Sequence, residues 1–298
     1  MIILIKKLTL PILFISLYGS GFVFTSLGLQ NSTPIAFLSL RFFIAFFILI
    51  IIATIMKVEW PDSFKEFIHI SIAGILTVGV FSIGVFLSID FGVSASLSAL
   101  IISLQPIIVT FLAVKFLGEK LNNRIIGGLI LGIIGVSFVV SAKSSFSTND
   151  FLGVVFSIIA LLGLSFGNIY QKKFCANMNL FSGGSIQTLA STILTLPLLL
   201  FYEDVYIEFN SDFIIALLYM SIAVSIGALS FLYIMIKNGS VSKVFSIFYL
   251  VPVSASIVGY FVLDAKFDIN IFIGIIFVLC SIILINKKGW LVEISYFR

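Results

Sequence analysis

The sequence predicts an all-α integral membrane protein of ten transmembrane helices, arranged as two inverted five-helix repeats. Three observations predict it. Of the 298 residues, 60% are hydrophobic and only 10% are charged, where a soluble domain keeps roughly 25% charged residues to wet its surface. Apolar runs of the ~20 residues needed to cross a bilayer as a helix recur along the chain. The two halves also carry matching proline and glycine positions.

The runs fall near 8–29, 33–56, 67–89, 94–115, 124–142, 151–171, 181–201, 213–236, 241–262 and 269–286. The first begins just after Lys6 and Lys7, as a signal peptide would. No small-x-small cleavage site ends it and nine apolar runs follow, so it reads as a retained span. Lipid offers backbone amides no partner, which requires the runs to be helices. They are too long and continuous for barrel strands, which alternate over ~10 residues. The short links between them carry most of the charge.

That charge sets an orientation. With the N-terminus inside, the inner segments hold Lys6, Lys7, Lys57, Lys65, Lys115, Lys120, Arg124, Lys172, Lys173, Lys237, Lys243, Lys287, Lys288 and Arg298. The outer links hold only Lys143 and Lys266, while Glu203, Asp204, Glu208 and Asp212 crowd one outer loop. The positive-inside rule then places both termini in the cytoplasm.

Sliding the chain by 146 residues brings Gly21 onto Gly167, Pro34 onto Leu180, Arg41 onto Gln187, Pro106 onto Pro252 and Gly128 onto Gly274. The repeats run over 8–142 and 151–286. Five spans is an odd number, so the second repeat enters from the opposite side, as in transporters that work by alternating access.

Several function classes lack parts. The net charge of +4 comes with no basic face or motif for nucleic acid. Cys175 and Cys280 are too few for a structural zinc site, which usually takes four Cys/His ligands. They stand in or beside different spans, which argues against a disulfide. His69 is the single histidine and lies at a span edge, leaving no triad or ligand cluster. The sequence therefore predicts no enzyme, no cofactor and no metal.

Certain motifs resemble a known family. Span one carries Leu17-Tyr18-Gly19-Ser20-Gly21-Phe22, and span two has Pro34 followed by Leu40-Arg41-Phe42. Span four runs from Ser103-Leu104-Gln105-Pro106 to Phe116-Leu117-Gly118-Glu119, and Gly127-Gly128 opens span five. This pattern resembles the drug/metabolite transporter superfamily, EamA branch, over about residues 8–288. Three positions depart from it: Tyr18 replaces the usual tryptophan, Asp264-Ala265 stands where a Gly-Glu pair is usual, and Gln187 replaces a second arginine. The resemblance implies an inner (plasma) membrane permease or exporter of small metabolites, such as amino acids or related amphiphiles. A nucleotide-sugar or lipid-linked sugar carrier is the alternative, with a wider and more basic cavity. A non-transporting scaffold or sensor would call for an appended soluble domain, and no loop is long enough to hold one.

Arg41 is the most informative single residue. It lies ~12 Å from the outer end of span two, where a cation costs several kcal/mol unless it faces protein or water. It is read either as a ligand for a substrate carboxylate or as a structural arginine bonded to neighbouring carbonyls. Pro106 and Pro252 each remove a backbone donor, freeing carbonyls near Ile102 and Phe248 for a hinge, for substrate or for a plain packing kink. Gln105 should face inward, since an amide facing lipid is costly. Other polar residues are Ser20, Ser82, Ser88, Ser98, Ser103 and Gln171. The serines are read mainly as packing. Tyr18, Asn168 and Tyr170 join Arg41, Gln105 and Gln187 as the candidate substrate pocket. The spacing Gly128-xxx-Gly132 reads as internal helix contact, leaving the chain monomeric, although it would also suit a dimer. Glu119 and Lys120, at the inner end of span four, suit an ion pair or loop anchor. No Asp or Glu lies inside a span, Asp90, Asp150 and Glu119 all being at edges. That disfavours cation–proton antiport through a buried carboxylate.

Overall fold

The computed structural model describes residues 2–141, 150–202, 204–262 and 269–286. They form the α-helices α1 (Ile2–Leu29), α2 (Pro34–Ile55), α3 (Phe64–Gly74), α4 (Phe81–Asp90), α5 (Ala95–Ser103), α6 (Gln105–Leu117) and α7 (Asn123–Ser141). The second half follows with α8 (Asp150–Phe174), α9 (Leu180–Phe201), α10 (Ser211–Leu218), α11 (Leu229–Asn238), α12 (Val241–Phe245), α13 (Val251–Val262) and α14 (Ile269–Asn286). Two π-helical stretches, Ile75–Val80 and Tyr219–Ala228, join α3 to α4 and α10 to α11 into continuous rods. A 3-10 turn, Ser246–Leu250, joins α12 to α13. Among the described residues the β-structure is one isolated bridge, Ser32 to Ile207.

Eight helices among the described residues are long and apolar enough to cross a membrane: Thr9–Leu29, Pro34–Ile55, Phe64–Asp90, Leu97–Leu117, Phe151–Phe174, Leu180–Phe201, Ser211–Asn238 and Val241–Val262. Two further apolar helices, Asn123–Phe138 and Phe272–Ile285, are shorter. They fall where the sequence predicts spans five and ten. The proposed outer residues Lys143, Glu203 and Lys266, the Asp264-Ala265 departure, and the inner Lys287, Lys288 and Arg298 lie outside the described residues.

Local chemistry sets the helix ends. Pro34 occupies the first turn of α2, where its missing donor costs nothing. Ser63, Ser94, Asn179 and Asn210 each cap a helix by accepting an amide from its first turn. Gly118 ends α6 in the left-handed region at φ 70°, which glycine reaches without steric cost. Pro106 and Pro252 each follow an interruption: α5 stops at Ser103 and α6 restarts at Gln105, and α13 restarts at Val251 after the 3-10 turn. The expected free carbonyls are a different matter. The Leu104 amide turns back onto the Ile101 carbonyl at 3.1 Å, and the Val251 amide takes Phe248. At Pro252 a tighter turn recaptures what the proline releases.

Packing follows the solvent. On α9 the inward face holds Ser182, Gly183, Gly184, Ser185, Gln187, Thr188 and Ser191, while Ile193, Leu196 and Leu200 face out. Small and polar residues meet other helices, and large apolar ones are left for hydrocarbon. Gly128 faces Ile285 and the Ser281 carbonyl of α14, and Gly132 faces the Tyr249 ring. Ser281 Oγ donates to the Gly128 carbonyl at 2.6 Å. The spacing of these two glycines is thus used inside the bundle.

The links join the rods at two ends. At one, the Glu208 amide donates to the Asn31 carbonyl (2.8 Å), and Asn210 Nδ2 to Asn31 Oδ1 (2.6 Å). At the other, Ser182 Oγ donates to the Glu59 carbonyl (2.7 Å). There Lys172 Nζ binds the carbonyls of Ile236 (2.5 Å) and Lys237 (3.1 Å). Glu119 closes this end by accepting the amides of Val241 (2.7 Å) and Ser242 (3.3 Å) and the Ser242 hydroxyl (2.5 Å). It anchors a loop by capping α12.

Candidate functional site

Three spaces are lined in part by buried polar groups. The first, of about 290 Å³, is bounded by Tyr18, Gly21, Phe22 and Thr25 of α1, Arg41 of α2, Phe81, Ser82, Val85 and Phe86 of α4, and Met220 and Val224 of the π-helical stretch. Arg41 is only 3% exposed. Its Nε donates to Ser225 Oγ at 2.9 Å, and its guanidinium carbon lies 5.6 Å from the Phe42 ring centre. Tyr18, also 3% exposed, stacks on Phe81 at 5.9 Å, and its hydroxyl has no partner.

The second space, about 260 Å³, includes Ser225, Gln187, Thr188 and Tyr233 in its lining. The third, about 290 Å³, is lined by Gln171, Lys172, Cys175 and Lys237, with Tyr233 shared between the two. A buried cluster joins them. Tyr233 Oη donates to Gln187 Oε1 (2.7 Å), and Gln187 Nε2 donates to Gln171 Oε1 (3.2 Å). The Arg41–Ser225 bond links the first space to the second. Polar groups therefore line a file from the Arg41 space toward the lysine-bearing end.

The candidate residues divide over this file. Tyr18 and Arg41 share the first space, and Gln187 lies in the second. Tyr170 turns elsewhere: its hydroxyl sits 2.6 Å from His69 Nδ1 and its ring packs on Phe174. Asn168 is fully buried; Nδ2 donates to the Leu164 carbonyl (2.8 Å) and Oδ1 has no partner. Gln105 is also fully buried, with neither amide atom paired. Asn168, Tyr170 and Gln105 line none of these three spaces. Pro106 and Pro252 are buried at the helix restarts. Of the serines, Ser88, Ser157 and Ser98 bond one another at 2.6 and 3.1 Å, which is packing between helices.

Ser225 and Tyr233 are absent from the sequence-based candidates. The signal for them lay in span eight, where Ser221 and Ser225 recur four residues apart on one helix face.

The EamA-like transporter family matches residues 6–141 and 151–287. The chain belongs to that family. An uncharacterized transporter of Bacillus subtilis, YvbV, is 24% identical over 92% of this chain and 89% of its own length. A protein of Escherichia coli named "Probable amino-acid metabolite efflux pump" is 26% identical over 58% of this chain and 55% of its own. A solved crystal structure superposes with a TM-score of 0.77 at 18% identity, covering 95% of this chain and 97% of the other. That likeness carries the fold. The EamA match makes the chain a multi-pass membrane transporter, and its two matched segments meet at the link between α7 and α8.

Proposed function

We propose that the chain is a ten-span inner-membrane secondary transporter that moves small metabolites, amino acids or related amphiphiles, by alternating access, and that it is not an enzyme. The observation that carries this reading is Arg41. It is a buried cation beside a cavity, contributed by α2 of the first half and bonded to Ser225 of the second. A charge is kept at that depth where it meets a solute or a partner.

The repeat reading has support in both halves. Each has a rod interrupted by a π-helical stretch and a rod that restarts at a proline, Pro106 or Pro252. Helices α7 and α14 supply spans five and ten. The basic links at the end bearing Lys172 and Lys237 support both termini in the cytoplasm. A nucleotide-sugar or lipid-linked sugar carrier needs a wider and more basic cavity. Against it, the Arg41 space is small and Arg41 is the one basic residue in its lining.

The test is metabolite profiling of cells with and without the protein, and with Arg41→Lys. A solute whose distribution across the membrane follows the wild type and not the variant supports the proposal. Identical profiles in all three strains would refute it.

A further inference from the structure

The Arg41 space has a donor set that selects a substrate class. A guanidinium offers five N–H donors, and one of them is engaged, by Ser225 at 2.9 Å. Every described Asp and Glu stands at a helix end or in a link, and no ion pair to Arg41 is present among the described residues. A buried cation without a counter-charge is costly, and removing that cost is a strong source of affinity for an anion. Tyr18 supplies the second observation: its hydroxyl is buried beside the same space and has no partner. An arginine and a phenol lining one space match a single carboxylate, which accepts from several donors at once.

The rest of the lining sets the remainder of the molecule. Phe22, Phe81, Val85, Phe86 and Met220 offer only apolar surface. The lining contains no carboxylate to receive an ammonium, and the Thr25 hydroxyl already donates to the Gly21 carbonyl at 2.8 Å. An ammonium placed there would meet Arg41 as a like charge with little water to screen it.

We propose that this space binds a monocarboxylate with a compact apolar body, Arg41 and Tyr18 holding the carboxylate, and that it discriminates against solutes carrying an ammonium. The proposal rests on the transport reading above and names which of the related amphiphiles the site prefers.

The test uses three probes that share one ring: 3-phenylpropanoate, phenethylamine and phenylalanine, which bear a carboxylate, an ammonium and both. Binding to the purified full chain in mild detergent is read by calorimetry and by thermal shift. 3-Phenylpropanoate is expected to bind, phenylalanine about tenfold or more weaker, and phenethylamine not at all. Arg41→Lys keeps the charge but loses the planar fork and is expected to weaken 3-phenylpropanoate about tenfold. Tyr18→Phe removes an oxygen that has no partner in the fold. It is expected to leave thermal stability unchanged without ligand and to weaken binding severalfold. Tyr18→Phe keeps the test open even if Arg41→Lys folds poorly. Equal binding of phenylalanine or phenethylamine, no binding of 3-phenylpropanoate, or a Tyr18→Phe protein that binds as wild type would overturn the proposal. Counterflow in vesicles separates the two readings. Selective binding without passage leaves the site and removes the transport reading. Passage of other solutes with binding unaltered by Arg41→Lys does the reverse.

Discussion

Replacing Gln187 by leucine probes the buried cluster that separates the Arg41 space from the lysine-bearing end. Gln187 is 1% exposed, accepts from Tyr233 at 2.7 Å and donates to Gln171 at 3.2 Å. Leucine keeps most of the volume, so the main loss is polar: the Tyr233 hydroxyl and Gln171 Oε1 both lose a partner. An orphaned buried group costs roughly 1–3 kcal/mol, which gives about 2–6 kcal/mol for two. Interhelical hydrogen bonds in membranes average only ~0.6 kcal/mol, which puts two of them near 1 kcal/mol. The geometry favours the lower part of this span. Tyr233 borders both inner spaces and Gln171 borders one, so water can reach the groups that leucine abandons. We therefore expect a loss of about 1–2 kcal/mol and a fall of a few degrees in unfolding temperature in detergent. A cycle with Tyr233→Phe should return a coupling near 1 kcal/mol. A coupling below ~0.5 kcal/mol, the scatter expected of independent sites, would refute the reasoning.

Three other outcomes follow from particular contacts. A cysteine replacing Glu208 should react with an impermeant thiol reagent added outside intact cells, and one replacing Lys237 should not; the opposite pattern would reverse the topology. Gly84→Val should destabilise strongly, because a Cβ there would lie 2.6 Å from the Phe156 carbonyl oxygen and 3.0 Å from the Ala160 amide. Gly118→Ala meets nothing within 4 Å and should cost only ~1 kcal/mol, from its positive φ; thermal unfolding of the two variants side by side checks the contrast. Native Cys175 is 5% exposed, and burial, with a smaller contribution from Glu66, pushes its thiol up to about 11. The thiolate therefore forms only as pH rises toward that value, and alkylation of the folded protein at pH 7.5 should spare it while proceeding in denaturant.

Much of this fold was legible because lipid imposes a simple rule. Apolar length reveals a membrane helix whatever its neighbours are, and Pro106 and Pro252 marked where helices restart. The release of the Phe248 carbonyl did not follow, because a proline's deleted bond can be replaced by a tighter turn. At the candidate site, a cation in an apolar run singled out Arg41, and Tyr18 lines the same space. Asn168 and Tyr170, two apart on α8, point to different sides of the helix. Tyr170 bonds His69, whereas Gln171, three residues after Asn168 and so near its face, enters the polar cluster. Ser225 and Tyr233 stayed hidden because periodicity tells which face of a helix is buried but not which helix it meets.

We propose that the chain carries a small solute across the membrane without proton coupling, since every described Asp and Glu stands at a helix end or in a link. Reconstituted vesicles loaded with labelled 3-phenylpropanoate test it most directly, with a pH step imposed or collapsed and protein-free vesicles as the baseline. Exit faster than baseline is expected down the solute gradient, at a rate that survives collapse of the pH step. Exit no faster than baseline would contradict the carrier, and uphill accumulation driven by the pH step alone, beyond that of protein-free vesicles, would contradict its uncoupled mechanism and direct attention to Asp90, Asp150 or His69.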